Sequence, residues 1–208
     1  MIFDHVFLKS DIISLISARL IQLSTTDSIL LLHPSAEIGM PTNSCGLFSS
    51  VSIFSELKLE PLPRSLNMSS SSLRSEWFEK HLAIVLANSG AIISTRAKFT
   101  QTSLNTGEIR GSTSFEGEIS FNTLHNIRLP EANNHQWYCY IHPDPPPPGI
   151  SIFSKRYDAS FESWSMKPIT IPNVFENRIG RGTPNSPNTI DIVLELAKNY
   201  LDSSLGLD

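Results

Sequence analysis

The chain has few cysteines, no long apolar run and no excess of positive charge, and each shortage removes a class of function. Its two cysteines, Cys45 and Cys139, are too few for a disulfide framework and suit a reducing compartment, with one bridge between them left open. No stretch reaches the roughly 18–20 uninterrupted apolar residues that a membrane-spanning helix needs. Asp4, with no basic cluster before it, speaks against a signal peptide, so the expected address is the cytoplasm. The 16 lysines and arginines are scattered among 20 acids for a net charge of -4, which supplies no clustered basic face for nucleic acid. Six histidines come without a nucleophile elbow, and no Ser-His-Asp arrangement is written.

What remains is an ordinary globular composition, 40% hydrophobic and 17% charged over 208 residues, enough for one substantial core and a single domain over residues 1–208. Residues 3–8 read as a short apolar strand, residues 14–22 as a helix with Leu15, Ala18, Arg19 and Gln22 at helical spacing, and residues 29–32 as a second strand. Pro61 and Pro63 interrupt any long helix in residues 48–66, and the serine-rich residues 67–72 read as a polar linker. Trp77, Phe78, His81, Leu82, Val85 and Leu86 form a helical stripe that Gly90 closes, before a strand at 91–96. Short β-like runs follow at 117–121, 136–141, 150–153 and 160–165, with an extended polyproline-like loop at 143–148 between the second and third. Residues 189–201 form an amphipathic helix with Ile190, Val193, Leu194, Ala197 and Leu201 on one face.

The first strand, helix and second strand run into Glu37-Ile38-Gly39-Met40-Pro41 and then Cys45-Gly46-Leu47. This order resembles the N-terminus of the FAD-dependent geranylgeranyl reductase family, among the glutathione-reductase-like flavoproteins, over residues 3–46. Trp77-Phe78-Glu79 and Gly90-Ala91 stand where the family has a similar helix and strand start, and Arg74 loosely matches an arginine before that helix. The resemblance implies an α/β fold: a Rossmann-like, FAD/NAD(P)-binding-type three-layer architecture with a reduced antiparallel β region. Residues 1–66, 73–114 and 175–208 would form the dinucleotide-binding-type part, and residues 115–172 the reduced, substrate-domain-like part.

The same resemblance locates the contacts that should grip the cofactor, and each is altered. The three glycines of GxGxxG, needed for a tight turn and close approach of the pyrophosphate, fall on Lys9, Asp11 and Ser14. The acid that should hold a ribose hydroxyl falls on His33, and the acid of a GD-containing turn before the last helix falls on Arg181. An ADGxxS segment is echoed by residues 109–114, with Arg110 in place of the acid. All of Lys9, Asp11, Ser14, His33 and Arg181 are expected to line one cleft. The family's cavity cysteine registers on Ser44, with Cys45 one residue later, so both are substrate-cavity candidates, and Cys45 reads first as a half-buried structural thiol.

Two further constellations come from the residues themselves. Arg178 and Arg181, in a glycine-rich stretch before a helix, form a candidate anion site, against a solvated loop. His135, Cys139 and His142 have spacings that suit zinc, but the interleaved Trp137, Tyr138 and Tyr140 suggest a strand that puts His142 on the face opposite His135 and Cys139. No metal is expected.

The functional expectation is a degenerate flavoprotein-like subunit that has lost FAD and acts through a partner, with packing retained and ligand contacts gone. That partner is expected to be a protein, a full-length flavoprotein relative being the natural companion. Two alternatives stand beside it, an FAD-dependent oxidoreductase of the geranylgeranyl reductase type acting on isoprenoid lipids, and a non-redox binder of isoprenoid chains.

Overall fold

The computed structural model of the chain describes residues 1–40, 42–59, 71–112 and 114–205. In chain order the elements are β1 (Ile2–Phe7), α1 (Ile12–Ser24), β2 (Ile29–His33), α2 (Ser52–Glu56), α3 (Ser75–Asn88), β3 (Ile92–Thr95), β4 (Lys98–Gln101), β5 (Thr106–Arg110), β6 (Gly117–His125), β7 (His135–His142), β8 (Ile152–Lys155), β9 (Phe161–Ser165), β10 (Glu176–Gly182) and α4 (Ile190–Leu205). The prolines at 61 and 63, most of the serine-rich stretch at 67–72, and Thr113 of the 109–114 segment lie outside the described residues. Contacts divide the described chain into two compact units. One takes its residues from Met1–Met40, Glu79–Arg128 and the chain from Leu196 onward, the other from Pro41–Phe78 and Leu129–Glu195.

In the first unit β1 is central and pairs in parallel with β2 on one side and β6 on the other, with Phe7 opposite Leu31 and His125. β2 pairs in parallel with β3. The unbroken run Ile29-Leu30-Leu31-Leu32 is buried throughout, as a parallel strand covered on both faces requires. Six strands form the hydrogen-bonded order β3-β2-β1-β6-β5-β4. Arg96 and Ala97 alone join β3 to β4, which stand at opposite ends of that order.

Five strand spacings amount to about 24 Å across a flat sheet. Three Cα steps reach only about 11 Å. The sheet must therefore fold back, and β6 is the strand on which it does so: residues 117–120 pair with β5, and residues 120–125 pair with β1. The β4-β5-β6 meander then covers one face of the parallel strands, packing Ala97, Ile109, Ile119 and Phe121 against Phe3, Val6, Leu30 and Leu32. Phe3 and Val6 share this cluster although they are three residues apart, because the amides of Asp4 and His5 both donate to Ser28 O and shift the alternation by one, as a bulge does. His5 and Phe7 are thereby turned to the other face, the one that carries His125 and, on α4, Tyr200.

Helix α1 is buried on nearly every side from Ile12 to Ile21, wider than the stripe its spacing suggests. Helix α3 ends where Gly90 adopts φ +101°, with Ala91 N donating to Leu86 O and Gly90 N to Ala87 O, a left-handed cap open to glycine. Gln22 of α1 donates to the carbonyls of Leu86 and Ser89, so α1 also satisfies the exposed end of α3.

The second unit holds an antiparallel sheet in the order β10-β7-β9-β8. Its apolar cluster is Cys45, Leu47, Trp137, Cys139, Ile141 and Trp164, with Ile152 alongside. Glu162, 1% exposed, sits within this unit and accepts from Gly46 N at 2.8 Å, Ser72 Oγ at 2.9 Å, Trp164 Nε1 at 2.8 Å, and Arg156 Nε and Nη2 at 3.0 and 2.7 Å. One carboxylate thus ties the loop around Gly46, the chain at Ser72 and Arg156, just past β8, to β9.

Two placements differ from the sequence-based expectation. Residues 117–121, expected in the reduced antiparallel region, open β6 and belong to the sheet of the first unit. Their alternation was visible, but a strand's partner is not a local property. Residues 179–182, expected as a glycine-rich turn, lie in β10 and pair with β7. Gly180 and Gly182 serve close approach and not a turn: a Cβ would stand 2.6 Å from the Trp164 ring at the first and 2.2 Å from Ser186 O at the second.

Candidate functional site

The turn between β1 and α1 is where a Rossmann-like fold presents helix N–H groups to a phosphate. Here Lys9 and Asp11 are exposed, while Ser10 is buried and donates its hydroxyl to Leu32 O at 2.9 Å, fastening the turn to β2. Asp11 is the N-cap of α1. Its Oδ1 accepts from Ser14 N at 3.1 Å and from Ser14 Oγ at 2.6 Å. A carboxylate of the chain itself thus takes a donor of the helix N-terminus and places a negative charge against the positive end of the helix dipole.

His33, at the end of β2, feels the Asp11 carboxylate, so the turn and the strand end share one electrostatic environment. Burial pushes the imidazole below its ordinary value, against the opposing pull of the Glu37 carbonyl and Asp11. His33 Nε2 bonds Glu37 O at 2.9 Å, which fixes the hydrogen on Nε2 because a carbonyl only accepts. Nδ1 is buried without a hydrogen-bond partner. Neither ring nitrogen is open to a ribose hydroxyl, Nε2 being spent on Glu37 O and Nδ1 buried.

A pyrophosphate seated at this turn would meet the Asp11 carboxylate and the Ser14 donors that it already holds. A phosphate oxygen at the N-terminus of α1 would compete with Asp11 for the same donors. Two unit charges 4 Å apart repel by roughly 1 kcal/mol in water and about 4 kcal/mol at a protein surface.

The first unit brings Lys9, Asp11, Ser14 and His33 to one end of β1 and β2. Arg181 belongs to the second unit, on β10, where its Nη1 donates to Asn134 O at 3.3 Å. Arg178 and Arg181, three apart on a strand, face opposite ways and do not converge on one anion. Arg178 is buried and committed: it donates to Ser75 Oγ at 2.7 Å, to Glu76 Oε2 at 3.1 Å and, through Nη2, to Glu176 Oε2 at 3.0 Å, with Nε also on Glu176. Burial draws its pKa down, but the Glu176 and Glu76 carboxylates outweigh that and hold it above the ordinary guanidinium range. Arg178, one half of the candidate anion site, is spent on Glu76 and Glu176, and Arg181 stands apart from it.

Ser44 is half-buried, with its amide on Thr42 Oγ1 at 3.1 Å. Cys45 and Cys139 are both buried and both free, and neither forms the bridge that their number left open. Burial, with the Glu162 charge nearby, pushes both thiols well above the usual cysteine range. A thiol so placed is a packing group and not a nucleophile. On β7, His142 bonds Ser163 Oγ at 2.9 Å and Asp144 O at 2.7 Å, and among the described residues no group of three or more His, Cys, Asp or Glu is placed to hold a metal.

One cavity of about 460 Å³ lies wholly within the second unit. Trp137 and Trp164 form part of its wall, with Pro147, Pro148, Ile150 and Ile169, and no charged side chain lines it. Both indole N–H groups are used elsewhere, Trp137 on Thr183 O and Trp164 on Glu162, so neither tryptophan offers the cavity a donor.

Sequence reasoning missed Glu162 and Arg156, the buried pair that organises the second unit, and the pairing of His5 with His125. The only local signal for the second was a histidine inside an apolar strand.

No protein-family model matches the chain, and no curated protein matches it. Solved structures do. A geranylgeranyl bacteriochlorophyll reductase-like protein from Thermoplasma acidophilum superposes with a TM-score of 0.55 and 12% identity, over 99% of this chain and 63% of that one. The halogenase PltM, as a variant in complex with FAD, gives a TM-score of 0.58 and 10% identity over 98% of this chain and 70% of that one. A flavoprotein/dehydrogenase from Cytophaga hutchinsonii gives 0.52 and 8%, over 98% and 63%. The chain therefore spans less than two thirds of two of these relatives. At such identities the likeness shows the fold: a Rossmann-like α/β architecture of the flavoprotein kind, as the N-terminal residues implied. Among the described residues no helix is long and apolar enough to cross a membrane.

Proposed function

We propose that this chain is a flavoprotein-fold subunit that does not hold FAD in the dinucleotide mode of that fold and acts by binding, as a structural or partner-binding subunit. The observation that carries the reading is the Asp11 cap on α1, a carboxylate engaged with the Ser14 amide and hydroxyl where the fold would receive a pyrophosphate. His33 adds to it by turning its only hydrogen toward Glu37 O. The test is a titration of FAD into purified protein, followed by flavin fluorescence. The reading expects no saturable change, and tight stoichiometric binding would replace it with that of an FAD-dependent oxidoreductase.

A protein partner follows from the same reading, a full-length flavoprotein relative being the natural companion. Phe175 is 67% exposed just before β10, Ile179 is 48% exposed on it, and β10 is an edge strand, an apolar margin that suits a docking partner. Light scattering on the isolated chain should then report association, and a monomer at high concentration counts against it. A second reading, the binding of an uncharged apolar ligand such as an isoprenoid chain, is favoured by the charge-free, tryptophan-walled cavity, whose size falls within the range of small-molecule pockets. Native mass spectrometry that recovers no bound apolar molecule would remove that second reading.

A further inference from the structure

In the first unit four polar side chains form one hydrogen-bond chain. Asp27 Oδ2 lies 3.1 Å from His5 Nε2, His5 Nδ1 lies 3.0 Å from His125 Nε2, and His125 Nδ1 lies 2.9 Å from the Tyr200 hydroxyl. The residues come from the loop before β2, from β1, from the end of β6 and from α4, and the two imidazoles are buried at 6% and 1% exposure. The Phe7 ring stacks on His125 at 4.3 Å and holds its plane. The Asp27 end is the more open, with 40% of that side chain exposed, and Tyr200 at the other end is half-buried.

The donors in such a chain are not free to choose. An ionised Asp27 only accepts, so His5 carries its hydrogen on Nε2 and, when neutral, presents a lone pair on Nδ1. His125 must then donate from Nε2, and its own Nδ1 accepts from Tyr200. Every member is satisfied, and the direction runs from Tyr200 to Asp27.

One added proton leaves every bond intact but turns two of them round. His5 becomes an imidazolium between Asp27 and His125, its Nδ1–H donates to His125 Nε2, and the His125 hydrogen moves to Nδ1, which donates to the Tyr200 oxygen. Tyr200 has changed from donor to acceptor. A second proton has no arrangement: two N–H groups would face each other 3.0 Å apart, with two positive charges in a buried site.

We propose that His5 and His125 form a one-proton switch that fastens the C-terminal half of α4 to the sheet through Tyr200, tolerates a first proton by reversing its hydrogen bonds, and lets go at the second. The titratable groups around the pair are Asp27 before β2, Asp4 beside His5 on β1, and Tyr200 on α4. Both aspartates lie on the His5 side of the pair, and neither touches His125. Burial and the His5 charge together depress His125 to about 4. The two imidazoles share one hydrogen bond, so their proton uptake is coupled. Because the folded value is below that of an ordinary histidine, stability is complete above about pH 6.5 and falls as pH drops toward 4.

The test is histidine ring NMR on the full chain across this range, with amide exchange of residues 196–204 measured on the same samples. The expected result is two His transitions, the first reversing the His125 tautomer, with a loss of protection of at least tenfold that builds as pH falls from about 6.5 toward 4. Tyr200→Phe should lower that protection at neutral pH and abolish its drop as pH falls. Asp27→Asn, at the more open end of the chain, is the variant expected to fold in any event, and it should move the first transition to lower pH. The proposal is overturned if His5 and His125 titrate independently, if the His125 tautomer is Nδ1–H at neutral pH, or if Asp27→Asn leaves both transitions in place.

Discussion

Replacing Glu162 by glutamine removes one charge and no volume, and it should be among the most damaging single changes in the chain. Glu162 is 1% exposed and its two oxygens accept five hydrogen bonds, from a backbone amide, a hydroxyl, an indole and two guanidinium nitrogens. Every partner is a donor, so the glutamine NH2 must face one or more of them in either orientation. The Arg156 side chain, 3% exposed, would keep a buried positive charge with no counterion. Breaking a buried pair from one side costs about 3–5 kcal/mol, most of it the stranded partner. For a chain of this length that corresponds to a fall in melting temperature of roughly 6–20 °C. Thermal and urea unfolding of Glu162→Gln should show this loss, and the double variant Arg156→Met with Glu162→Gln should recover much of it, since no charge is then stranded and the glutamine oxygen still accepts from Gly46 N and Trp164 Nε1. A Glu162→Gln protein within about 1 kcal/mol of the parent would refute this account, whose basis is desolvation without a counterion.

Other changes test separate parts of the structure. Gly46→Ala places a Cβ 2.0 Å from Leu73 O and 2.8 Å from Glu162 Oε2, and should cost about 1–3 kcal/mol or more in urea unfolding, as overpacking does. Cys45 and Cys139, with both pKa values pushed well up by burial and the Glu162 charge, should resist a thiol reagent in native buffer at neutral pH and react fully after denaturation. Asp11→Ala should lower stability by about 1 kcal/mol and Asp11→Gly by only a few tenths, because an N-cap glycine leaves the amides open to water. No loss in either variant would mean that the Asp11 cap contributes nothing.

The sequence made the frame of the first unit legible and its closure illegible. The apolar run at 29–32, the stripe from Trp77 to Leu86 with Gly90 behind it, and the amphipathic last helix are local patterns, and β2, α3 and α4 follow them. β4 and β5 went unread because Lys98, Thr100, Gln101, Thr106 and Gly107 carry no apolar alternation, and the meander is held mainly by Phe99 and Ile109 against a sheet assembled from elsewhere. β10 was hidden by its glycines, which look like a turn until the Trp164 ring above Gly180 is known. At the site, the substitutions at Lys9, Asp11, Ser14 and His33 could be found by register. That Asp11 caps α1, and that Arg178 is spent on Glu76 and Glu176, are facts of three-dimensional pairing. The Asp27-His5-His125-Tyr200 chain spans β1, β6 and α4, and no spacing rule connects them.

The central claim is that the turn from β1 to α1 is closed to a dinucleotide phosphate by the chain's own carboxylate. Flavin content of the protein purified from its native source, measured after denaturation, tests this most directly. The account predicts a colourless protein that releases no flavin. One equivalent of FAD per chain would contradict it.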